Sequence, residues 1–159
     1  MSFVQLSEAK LHLRVDGTDE DALIGVYLTA AEQRAMSFLD RGVYADGTAL
    51  GVAKAAAPGE LDAAIAAYNG AIGAADLLED PGAQVAAIQT ADNSLIRAKG
   101  AFRQAMDGMT VNEAIKAAVL LIVGHLYANR EDVVAGAGAS VAPLPNGAEW
   151  LLAPYKVYA

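Results

Sequence analysis

Residues 110–129 read TVNEAIKAAVLLIVGHLYAN, and the pattern inside them decides the fold class. Thr110 with Glu113 three residues on has capping-box spacing, so a helix opens there and runs to about Asn129. Ile115, Ala118, Val119, Ile122 and Leu126 recur at intervals of three and four and form one apolar stripe. Leu120, Leu121, Val123 and Tyr127 are apolar on the other sides. A helix apolar nearly all round is either the centre of a fold or shared between the fold and a partner. Its most apolar run, Ala117 to Gly124, is bounded by Lys116 and His125. That run is far shorter than the ~20 apolar residues a spanning helix needs, so no membrane contact is expected.

Upstream, residues 7–15 can form a short first helix with Ser7 as its cap and Asp16-Gly17 as its end, since glycine tolerates a positive φ. Thr18 then starts a second helix. Asp19, Glu20 and Asp21 fall in its first turn, where acids meet the positive end of the helix dipole. Ile24, Tyr27, Leu28, Ala31, Ala35, Phe38 and Leu39 give it one apolar face, and Arg41-Gly42 closes it.

Between these blocks the character changes. Gly42, Gly47, Gly51, Pro58 and Gly59 mark residues 43–59 as loop, with Asp46-Gly47 suited to a hairpin turn. Residues 60–80 read as an Ala-rich helix carrying Leu61, Ile65, Tyr68, Ile72 and Ala75 at helical spacing. Pro81-Gly82 is a turn, and residues 83–107 form a second long helix through Val85, Ile88, Leu95, Phe102 and Met106. The two make an antiparallel helical hairpin. No Lys or Arg occurs from Ala55 through Ile96, whereas six acids do, so part of the hairpin is acidic.

Downstream, Arg130-Glu131-Asp132 leads into a Gly/Ala-rich stretch that cannot build a core. The tail at 135–159 carries Pro143, Pro145, Trp150, Leu151, Leu152, Pro154 and Tyr155, a large apolar payload that must dock on its own helices or on a neighbour. Read as a docking arm, it is extended and anchored by Trp150, Leu152 and Tyr155, residue types that include those most often dominating interfaces. Arg130, at the end of the apolar helix, is expected to fix the tail's exit or a contact between subunits, with Tyr127 packed beside it.

Composition narrows the chemistry. The 159 residues are one domain's worth, enough to bury roughly 68–70% of the unfolded surface. With 36 alanines, the chain is helical and small-side-chained. A net charge of −8 argues against a free-standing nucleic-acid binder. There is no Cys, so no disulfide framework or thiolate nucleophile is available. Of the two histidines, His125 reads as a structural residue at a helix end and His12 as a surface one. The acids from Asp16 to Asp21 fail the calcium-loop pattern, which needs Gly at its sixth position and Glu at its twelfth; Asp21 and Tyr27 stand there. No Gly-x-Ser-x-Gly, P-loop, dinucleotide fingerprint or His-Glu-x-x-His is present. The expectation is no enzyme, no cofactor and no metal. The N-terminus carries no basic region before an apolar run, so it does not read as a signal peptide, and the chain is expected in the cytosol of the cell that makes it.

Three stretches together resemble a known family. Leu6-Ser7-Glu8-Ala9-Lys10-Leu11-His12-Leu13-Arg14-Val15-Asp16, followed by Asp19-Glu20-Asp21-Ala22-Leu23-Ile24, resembles the start of phage head–tail connector proteins, the head-completion adaptors of long-tailed double-stranded DNA phages. His125-Leu126-Tyr127-Ala128-Asn129-Arg130-Glu131 resembles their second block, and Leu151-Leu152-Ala153-Pro154-Tyr155-Lys156-Val157 their C-terminal one, with Lys where Arg is commoner. The resemblance implies a non-enzymatic α-helical virion subunit at the head–tail junction, assembled in the bacterial host's cytoplasm. It implies a ring, commonly of twelve copies, beneath the portal protein. That ring extends the DNA channel without binding DNA specifically, and receives a tail-side head-completion or stopper protein. A prophage or gene-transfer particle is an equally good source. Family members are shorter in the middle, so residues 43–109 read as an insertion. The reading is thus all-α: one connector domain over 1–159, a small bundle with an inserted Ala-rich hairpin and an extended C-terminal tail. The alternative is a non-viral cytosolic helical bundle with a regulatory or small-molecule-binding role.

Overall fold

The computed structural model describes residues 2–129 and 146–158. Six α-helices carry the fold: α1 Leu6–Leu13, α2 Asp21–Leu39, α3 Gly47–Ala75, α4 Pro81–Met106, α5 Glu113–Ala128 and α6 Asn146–Leu152. Strands β1 Val43–Tyr44 and β2 Met109–Thr110 pair in parallel, Val43 with Met109 and Tyr44 with Thr110. The all-α helical bundle read from the sequence is the fold observed. The chain divides into two compact units, one of residues 1–46 with 109–159 and one of residues 47–108.

In the first unit α5 is the central helix. Ile115, Ala118, Val119, Ile122 and Val123 are buried, and α1, α2 and α6 pack on it. From α2 come Ile24, Leu28, Ala31, Ala35 and Leu39, the face expected from their spacing. Most of the apolar girdle of α5 is therefore met by its own chain; Leu121 stays exposed. The N-terminal segment lies in the same core through Phe3 and Val4.

Several helix ends differ from the expected ones. The cap of α5 is Asn112, whose Oδ1 accepts from Ile115 N at 2.9 Å, while Thr110 belongs to β2. In α1 the boundary residue is Gln5, with Glu8 Oε2 accepting from its amide at 2.7 Å. Neither helix ends on glycine: Arg14 closes α1 at φ 59° and Asp40 closes α2 at φ 51°. α2 begins at Asp21 and not at Thr18.

Glu8 also meets Lys116 of α5 at 3.3 Å. The Gln5 amide foremost holds the Glu8 carboxyl below its ordinary value of 4.5; burial opposes it, and Lys116 adds a further lowering. The folded form thus releases this proton more readily than the unfolded one. The stabilisation is complete above the ordinary glutamate range and is lost as pH falls through the lowered folded value. Urea midpoints should therefore decline with acidification in this window, and Glu8→Gln should flatten that part of the profile; an unchanged slope would remove Glu8 from the account.

The second unit is the helical hairpin, and its first helix starts earlier than the sequence predicts. Residues 47–59, read as loop, belong to α3 in spite of Pro58. Proline removes one backbone bond, but five of the residues from Ala49 through Ala57 are alanine, the best helix former. The turn is at 76–80, where Asp80 caps α4 by accepting from Ala83 N at 2.8 Å; Pro81 is the first helical residue, a position where its missing N–H is harmless. Tyr68 of α3 donates to Asp92 of α4, which holds the phenol above its ordinary value of 10.0.

β1 and β2 lie side by side at the point where the chain leaves and re-enters the first unit, so excising the hairpin is expected to leave that unit's ends close together. Joining residue 46 to 109 through about twelve Gly and Ser residues, the length a parallel crossover requires, is expected to leave a soluble, cooperatively unfolding helical protein. A product without helical circular dichroism would show that the first unit depends on the hairpin.

Candidate interaction surfaces

The residues expected at interfaces fall into different environments. Tyr127 is half-buried on α5, and its hydroxyl donates to the Glu20 carboxylate at the start of α2. Glu20 therefore ties the turn before α2 to the far end of α5. Next to it Lys10 Nζ reaches Asp21 Oδ1, an atom out of contact with water, at 2.6 Å and joins α1 to α2. Arg130 lies outside the described residues, as do Gly136, Gly138, Pro143 and Pro145 of the tail.

The described part of the tail is helical where an extended arm was expected. Residues 146–152 form α6 and Ala153–Tyr155 a 3-10 turn. Ala148 and Leu152 are buried in the first unit's core, and α6 packs on α5 and α2. Beyond the turn, Val157 N donates to Leu39 O at 2.9 Å and Arg41 Nη1 donates to Tyr155 O at 3.3 Å. Leu152 is thus a core residue of its own chain, at 2% exposure, and no anchor for a partner. Tyr155 is half-buried against the same core. Trp150 faces the other way and is 77% exposed. Tyr158 is exposed too, and Lys156 Nζ sits 5.6 Å from its ring and 4.7 Å from that of Phe38, both cation–π distances.

Sequence reasoning missed Glu32. It is the one buried charged residue among those described, and its Oε1 accepts from Ser2 Oγ at 2.7 Å, Phe3 N at 2.9 Å and Val4 N at 3.0 Å. The signal was present: Glu32 follows Leu28 by four residues and precedes Ala35 by three, so it interrupts the apolar stripe of α2. His12 is exposed, as its position implied, and Asn129 Nδ2 donates to the His125 carbonyl at 2.9 Å at the end of α5.

Among the described residues, no helix is long and apolar enough to cross a membrane, and no three His, Cys, Asp or Glu side chains are grouped to hold a metal ion. The fold and its exposed groups define a small helical protein that presents aromatic and apolar surface. Residues 3–71 match the family model described as phage gp6-like head-tail connector protein, so the resemblance to phage head–tail connectors is shown over that stretch. The match takes in α1, α2 and β1 and ends inside α3. The family is one of structural proteins, and it implies a virion component that assembles with other phage head and tail proteins. No curated protein and no solved structure matches the chain.

Proposed function

We propose that the chain is a subunit of an adaptor ring, of about twelve copies, that sits beneath the portal, extends the DNA channel and receives the tail-side stopper protein. The observation that carries this reading is the connector-family match over residues 3–71, which takes in α1 and α2 of the first unit. Two features support it. The net charge of −8 suits a channel wall along which DNA slides without being held. The exposed Trp150, on a helix locked to the core through Leu152, is a rigid aromatic group of the kind that dominates protein interfaces.

The test is to mix the purified chain with the portal protein of the phage or prophage that carries it, and to image the product. Added ring-shaped density on one end of the portal, lost with Trp150→Ala while the variant keeps its urea midpoint, is the expected result. A portal that stays bare at saturating concentrations of the chain would refute the reading.

A further inference from the structure

The side chains that the hairpin of α3 and α4 buries fully are alanines, and its larger apolar residues are at most half-buried. Its buried side chains are Ala57, Ala75 and Ala91, while Val52, Ile65, Val85 and Ile96 are exposed. Helices of globular proteins draw most of their stability from packing an apolar face, and three alanines supply little. Between the helices runs a groove of about 620 Å³, walled by Ala64, Ala67, Tyr68 and Ala71 on α3 and by Ala86, Ala87, Thr90 and Ser94 on α4. Apart from Tyr68 and Leu95 its lining is small, and none of it is charged, which lets another helix backbone come close.

Charge at one end of the groove indicates what covers it. Glu60 precedes Ala64 by four residues and Ala67 by seven, so it continues the α3 wall. Arg97 follows Ser94 by three and Thr90 by seven, so it continues the α4 wall. Both stand one turn beyond the end of the groove that is away from the hairpin tip, on opposite walls. Both are exposed, and among the described residues neither is in an ion pair.

We propose that the groove is covered by the same groove of a second copy of this chain, the two hairpins running parallel about a two-fold axis along the helices. That symmetry lays α3 of each copy over α4 of the other at equal height. Glu60 then meets Arg97 of the second copy, and the contact is made twice, as an isologous interface requires. The antiparallel arrangement is disfavoured. It would set Glu60 beside Asp76 at the negative C-terminal end of the other α3, and Arg97 at the positive N-terminal end of the other α4. The pairing concerns subunits free in solution and does not depend on the connector role.

The experiment is sedimentation equilibrium of the full chain with charge swaps. The wild type is expected to reach a dimer mass as concentration rises. Glu60→Arg and Arg97→Glu should each weaken the dimer by about tenfold or more, since each sets like charges against each other twice. The double swap should restore it to within about threefold of wild type, with helical circular dichroism equal in all four proteins. Ala67→Leu, which fills the groove without altering charge, should also weaken it. A wild type that stays monomeric up to millimolar concentration would overturn the proposal. So would a dimer indifferent to the single swaps, or one that the double swap fails to rescue.

Discussion

Leu152→Ala is expected to lower the stability of the first unit by about 2–5 kcal/mol, the range for removing a buried leucine side chain from a packed core. The side chain is 2% exposed and belongs to the cluster that α5 and α2 supply. Two residues away, Trp150→Ala should change stability by no more than about 0.5 kcal/mol, because a side chain at 77% exposure has little packing to lose. Urea unfolding followed by circular dichroism separates the two. The contrast matters for function, because α6 acts as a fixed mount for Trp150 only if Leu152 holds it down. Equal urea midpoints for Leu152→Ala and wild type would return the tail to the status of a loose arm.

Glu32→Ala should cost a comparable amount, about 2–5 kcal/mol. It leaves the Phe3 and Val4 amides without their acceptor in a buried place, each at about 1–3 kcal/mol. Glu32→Gln keeps an acceptor oxygen but loses the charge that strengthens all three bonds, so its loss should be smaller. Deleting residues 1–4 removes the same donors. In that background Glu32→Ala should add little, because a buried carboxylate without partners is itself unfavourable. Hydrogen exchange at Phe3 and Val4 gives a direct reading. Protection that survives in Glu32→Ala would show that the carboxylate is not what pins the N-terminus.

How far the sequence reaches depends on the length of the signal. The stripes of α2 and α5 extend over several turns, and most of their buried residues are the ones their spacing picks out, Glu32 and Val123 being the exceptions. Caps are decided by single side chains in competition. Asn112 and Thr110 are both good caps, and only the pairing of Thr110 into β2 removes one of them. The two strands are two residues each, too short for any alternation to show. In the tail, Ala148, Leu151, Leu152 and Tyr155 do stand at helical spacing, but the surrounding prolines point toward extended chain and hide it. The exposure of Trp150 follows from the same wheel, since it lies off that stripe. The start of α3 was obscured in a similar way, by glycine and proline set among strong helix formers.

The connector role is tested most directly by deleting the gene for this chain from the phage or prophage that carries it and imaging the particles. The account predicts capsids that have assembled and taken in DNA but carry no tails, restored to full particles by the wild-type chain supplied in trans. Tailed, infectious particles formed without the chain would contradict it.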